Sequence, residues 1–123
     1  MKRMILALAV LLGGLAMPAV AAELGDDGLH KEDWMRETFL DLREDLAEAG
    51  AEGKRMALMI EQRGCIYCKK MHEEVYPVPE ISDYIEENFF VVQLNLHGDR
   101  EVTDLDGETM AEKNLLRKWG ILF

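Results

Sequence analysis

Cysteine is scarce in this 123-residue chain, with two in all, and two are too few for the stapled framework that small secreted domains use. Positive charge is also short: 14 Lys and Arg stand against 24 Asp and Glu, for a formal net charge of -10. That balance argues against nucleic acid and anionic membrane surfaces as partners, because neutralising phosphate needs a basic face. There is no internal repeat and no low-complexity segment, so solenoid and linker architectures are set aside, and the length allows one domain. Long apolar runs are missing everywhere but at the start.

The one long run is Met4 to Leu15, preceded by Lys2 and Arg3 and followed by Pro18 and Ala19-Val20-Ala21-Ala22. A basic start, a short apolar stretch and a small-residue end predict a cleavable secretory signal over residues 1–22. An uncleaved anchor is the rival, and Pro18 with the small-residue end favours cleavage. No cysteine lies there to carry a lipid. Removal moves the formal charge to -12, leaving an exported acidic domain over 23–123 with no stable membrane association.

The two cysteines sit three apart in Gly64-Cys65-Ile66-Tyr67-Cys68, where the apolar run Met56 to Ile60 ends and a helical pattern begins. A continuous apolar segment of that length suits a strand covered on both faces. A strand feeding Cys-x-x-Cys at a helix start sets the first sulfur beside unpaired backbone N–H groups and the positive end of the helix dipole. Such settings bring a cysteine pKa from about 8.5 down to roughly 3.5 to 7.5. Cys65 is accordingly the attacking sulfur. As a passive staple the pair is poor, since closing so short a loop removes only about 2 kcal/mol of unfolded-chain entropy, against about 3 for a fifteen-residue loop.

Around the motif the pattern is alternately helical and extended. Asp33 can cap a first helix whose stripe is Met35, Phe39, Leu42 and Leu46, ended by Gly50 and Gly53, with Trp34 as its anchor. Cys68, Met71 and Val75 mark the inner face of the motif helix as far as Pro77. Pro79 opens a second piece that buries Ile81, Tyr84 and Ile85. Phe89 to Leu96 is a strand, and strand, helix, strand implies a parallel crossover. Asp104-Leu105-Asp106-Gly107 suggests a calcium loop, but with Gly107 at the sixth position Val102 and Lys113 fall where carboxylates are required, so a turn or short hairpin through Asp106-Gly107 is expected. Thr109 to Glu112 reads as a capping box for a helix carrying Leu115, Leu116 and Trp119, with Arg117 and Lys118 at its negative end and Gly120 beyond.

Strand, Cys-x-x-Cys, helix, strand, helix resembles the first half of a thioredoxin fold. The runs Gly64 to Val75 with Pro77 and Pro79-Glu80, Val91 to Leu96, Gly98 to Asp104, and Lys118-Trp119-Gly120 resemble the periplasmic thioredoxin-like proteins associated with sulfur oxidation. The resemblance implies an α/β thioredoxin-like fold, incomplete at its end: the cis-proline loop and the last strands of the family would follow Phe123, so a truncated domain over 23–123 is expected. It also implies a thiol-disulfide oxidoreductase in the periplasm that keeps exported partners with reducible disulfides reduced. Electrons would come from a membrane thiol donor, with no metal or organic cofactor. Cys65 would attack a partner's disulfide and Cys68 would resolve the mixed disulfide. Gly64, Ile66, Tyr67 and Lys69 flank the motif, Ile66 and Tyr67 to tune redox poise and meet partners, Lys69 with Lys70 and Arg63 to raise thiolate content. The buried acid of familiar thioredoxins is replaced by Met59, which leaves Glu61 or the Glu73 region to manage the proton on Cys68.

Two alternatives stay open at this stage. Cys65, Cys68 and His72, one helical turn on, could hold zinc or copper(I), although His72 by itself is more often a solvated helix residue. The acidic helices could also serve a non-catalytic interaction module. Haem attachment is excluded because Lys69 stands where the Cys-x-x-Cys-His pattern needs histidine.

Overall fold

The computed structural model describes residues 22–123, so the signal expected over 1–22 lies outside the described residues, Ala22 excepted. Among the described residues no helix is long and apolar enough to cross a membrane. The elements are β1 (Glu23–Leu24), β2 (His30–Lys31), α1 (Leu42–Ala51), β3 (Arg55–Glu61), α2 (Ile66–Lys70) running on into a π-helical turn (Met71–Val75), α3 (Pro79–Asn88), β4 (Phe89–Asn95), β5 (Glu101–Thr103), β6 (Thr109–Ala111) and α4 (Glu112–Lys118).

At the centre β3 and β4 pair in parallel, from Arg55 opposite Phe89 to Glu61 opposite Asn95. The expected crossover is present, with α2, the π turn and α3 between the strands. Alternation sorts the side chains. Phe90, Val92, Leu94 and Leu96 join Leu42, Ala49, Val102, Leu115 and Leu116 in the main core, and Met56, Leu58 and Ile60 of β3 pack against it. On the opposite face Val91 and Gln93 are buried as well. A strand buried on both faces must be apolar at both parities, which is why this stretch reads as a continuous run.

The first helix differs from expectation. It begins at Leu42 with Asp41 as its cap, the carboxylate accepting the Arg43 N–H at 3.0 Å, not at Asp33. Residues 35–39 are instead non-helical, and their start lies along the free side of β4, where Met35 bridges Val91 in parallel and the Arg36 N–H donates to the Val91 carbonyl at 2.8 Å. The Met35 and Phe39 spacing therefore belongs to a non-helical segment. Phe39 is 98% exposed, Leu46 is also largely exposed, and buried Leu40 turns the chain at φ 59°. Trp34 is buried, as an anchor should be, though against Tyr76. Pro79 does open α3, but Tyr84 is exposed and only Ile81 and Ile85 turn inward.

The hairpin at Asp106-Gly107 is present as β5 and β6, and the acids that mimic a calcium loop converge on one cation: Lys118 Nζ donates to Asp104, Asp106 and Glu108 at 2.7, 2.6 and 2.8 Å. The capping box is not formed. Thr109 is in β6 with its hydroxyl 3.1 Å from that of Thr103, and α4 starts at Glu112 behind Ala111 with no side-chain cap. Glu112 is instead buried, taking two bonds from Arg100 and one from the Asn95 N–H. Gly98 lets this carboxylate approach the backbone, since a Cβ there would collide with it.

Candidate active site

β3 delivers the chain to the motif through Gln62, whose carbonyl accepts the Cys65 N–H at 3.2 Å. Gly64 makes the turn at φ 76°, a conformation that costs other L-residues strain. Cys65 is then the N-cap of α2: its backbone is extended and its Sγ accepts the Cys68 N–H at 3.1 Å. The two sulfurs are bonded to each other, with Cα atoms 5.3 Å apart. In the reduced state the same cap position points a backbone donor at the Cys65 sulfur, which favours its thiolate.

Rows four residues apart define the faces of the motif helix. Ile66 with Lys70 and Tyr67 with Met71 lie outward, as does Lys69, while Cys65 and Cys68 are both half-buried; Ile66 and Tyr67 are 71% and 76% exposed, and both lysines are exposed. The row of Cys68 with His72 turns inward. Met71 is thus not on the inner face, and His72 is not solvated; it is completely buried. The α-helical bonds give way at this point to the π turn, closed by the Tyr76 N–H donating to the Met71 carbonyl at 2.9 Å.

The His72 ring is held on every side. Nδ1 lies 2.7 Å from Glu32 Oε1 and Nε2 lies 2.8 Å from Glu61 Oε1. His30 stacks on the ring at 5.0 Å and Tyr76 meets it edge-on at 5.0 Å. Both ring nitrogens thus make their hydrogen bonds to carboxyl oxygens, one to each glutamate. Gln93 donates from Nε2 to Glu61 Oε2 and accepts from Lys31, so the network runs on to β2. Burial pushes the Tyr76 hydroxyl above its usual range, and the nearby Glu61 and Glu32 charges push it further.

These contacts settle several expectations. Glu61 is the buried acid, two residues beyond Met59 and hence on the same face of β3, whereas Glu73 is exposed and pairs with Lys69 at 3.8 Å. In this arrangement both His72 ring nitrogens face carboxylates and neither is directed at Cys65 or Cys68. Among the described residues no group of three or more His, Cys, Asp or Glu is arranged to hold a metal. Glu32 and His30 had no sequence signal, because nothing local marks a residue that completes a site forty positions away. For His72 the signal was present: the row starting at Cys68 faces the strand that ends in Glu61.

No curated protein and no solved structure matches the chain. A family model does match, that of the thioredoxin-like domain, over residues 42–123, about two thirds of the chain, and the chain therefore belongs to that family.

Proposed function

We propose that this protein is an exported thiol-disulfide oxidoreductase that reduces disulfides of periplasmic partner proteins. The observation that carries the reading is the bonded Cys65–Cys68 pair at a helix start, with both cysteines half-buried, Cys65 as the N-cap, and Cys68 one turn before His72, which is bonded to the buried Glu61. In the dithiol state the Cys65 thiolate attacks one sulfur of the partner's disulfide, and the other partner sulfur leaves as a thiol. Cys68 loses its proton and attacks Cys65 within the mixed disulfide. This releases the second partner thiol and restores the Cys65–Cys68 bond, so two electrons pass to the partner. Glu61, bonded to His72, is the buried group that takes the Cys68 proton. A membrane-bound dithiol returns the two electrons.

Export is supported by Lys2 and Arg3 ahead of the apolar run and small-residue end, and association with sulfur oxidation by the motif-flanking runs. The test is dithiothreitol-driven reduction of insulin by the purified protein. Wild type should accelerate it, Cys65→Ser should not, and Cys68→Ser should accumulate a mixed disulfide. Equal rates for wild type and Cys65→Ser would refute the reading.

A further inference from the structure

The surface that presents the disulfide differs in charge from the rest of the molecule. From Gln62 to Met71 there are three cations, Arg63, Lys69 and Lys70, and no acid, in a chain whose acids outnumber its bases by 24 to 14. Two of these cations are exposed on the motif helix itself. Lys69 lies one turn from Cys65, and its backbone N–H donates to the Cys65 carbonyl at 3.1 Å. Lys70 lies one turn from Ile66. Arg63 is steadied on the other side by its Nε bond to the Asp27 carbonyl at 3.3 Å. The nearest acids on the helix, Glu73 and Glu74, are a further turn away from the disulfide, where Glu73 meets Lys69 at the loose distance of 3.8 Å. Between the cations the surface is apolar, with Ile66, Tyr67 and Met71 all exposed.

An apolar strip edged by cations around a disulfide suits one kind of occupant. We propose that the preferred substrate is a protein disulfide whose cysteine lies in an exposed segment with acidic and apolar neighbours. This rests on the disulfide-exchange reading and adds to it the class of partner. The acidic remainder of the molecule repels an acidic partner at long range, so the preference is local: it belongs to charges within a Debye length of the sulfur, about 8 Å at physiological salt. Each exposed pair is weak, and three together amount to roughly a five- to tenfold preference over a basic segment.

The test separates recognition from turnover. Cys68→Ser leaves Cys65 as the attacking thiolate. Three peptides of equal length are offered, each with one cysteine capped as a mixed disulfide with thionitrobenzoate and flanked by Tyr and Leu together with Glu, Ser or Lys. Attack forms a Cys65–peptide disulfide and expels coloured thionitrobenzoate, so atoms and electrons balance without an added reductant. Rates are divided by those of mercaptoethanol with the same peptides, which removes the intrinsic effect of the flanks. The Glu peptide should react fastest and the Lys peptide slowest, with the spread collapsing in about 1 M salt, where the Debye length is near 3 Å. In Lys69→Glu/Lys70→Glu, both sites exposed, the order should reverse. Equal normalised rates, or an order untouched by the double substitution, would overturn the proposal. If the Glu preference is found but wild type fails to speed insulin reduction, the oxidoreductase reading falls and the surface assignment stands. No reaction with any peptide would overturn both.

Discussion

Replacing His72 with Ala should be among the most damaging single changes in the protein, although His72 touches no solvent. The ring separates two carboxylates, on Glu61 (6% exposed) and on Glu32, whose side chain is 17% exposed. Glu32 can swing toward water once its partner is gone. Glu61 cannot, and retains only the Gln93 amide at 2.9 Å. Removing one member of a buried charged set costs about 3 to 5 kcal/mol, chiefly as the penalty of the charge left behind. A domain of this size has about 5 to 15 kcal/mol in all, so the variant stands near the edge of folding. At about 4 °C or more per kcal/mol, Tm should fall by about 12 °C or more. The assay is urea unfolding followed by tryptophan fluorescence, with Trp34 reporting from its contact with Tyr76. His97→Ala, at an exposed site, is the control and should move stability by less than about 0.5 kcal/mol. A second arm, His72→Leu/Glu61→Met, removes the orphaned charge along with its partner and should recover most of the loss. If His72→Ala costs under about 1 kcal/mol, or the double variant is worse than the single, the buried-charge argument is wrong.

Asp41 is held by its bonds from Arg43, which take its pKa from 3.8 down to about 2. A depressed carboxylate stabilises above its unfolded pKa and ceases to as pH falls through the folded one, so acid unfolding between about pH 4 and 2 should be shallower in Asp41→Asn. Burial pushes Asp45 the other way, with Glu48, Asp41 and Glu44 adding to it against the Thr38 hydroxyl. The sign inverts: its contribution is favourable below the unfolded pKa and lost as pH rises through the folded one, so Asp45→Asn should raise Tm at pH 7 and leave it nearly unchanged in acid. Gly98→Ala should drive Glu112 from its buried place between Arg100 and the Asn95 N–H, at a cost of about 2 kcal/mol or more by denaturant titration. After mild reduction, mass-spectrometric alkylation near neutral pH should label Cys65 before Cys68; the reverse order would exchange their roles.

The parallel pair and the motif were legible because their signals are local. Met56 to Ile60 and Phe89 to Leu96 carry apolar residues at both parities, and the cysteines fix where β3 gives way to a helix. What was misread had local signals that tertiary contacts overrode. Met35 and Phe39 are four apart as in a helix, yet the unoccupied hydrogen-bonding side of β4 draws Met35 and Arg36 into extended pairing. Thr109 and Glu112 have capping-box spacing, but Arg100 claims the glutamate. His72 looks like any polar residue in a charged helix. Only the register of β3, which brings Glu61 beneath it, and a segment folding back from residue 32 make it a buried one.

That returning segment has a consequence for how the molecule opens. It precedes the region that matches the family, yet it lies along β4 and closes over the ring behind the disulfide. Peeling it away would strip β4 of a neighbour and uncover Glu61 in one event, so a local fluctuation at the front of the chain is at the same time an exposure of the redox centre's buried acid. The Arg36 amide, donating to Val91, is a natural clock for that event. Its hydrogen-exchange rate would count how often the acid meets water.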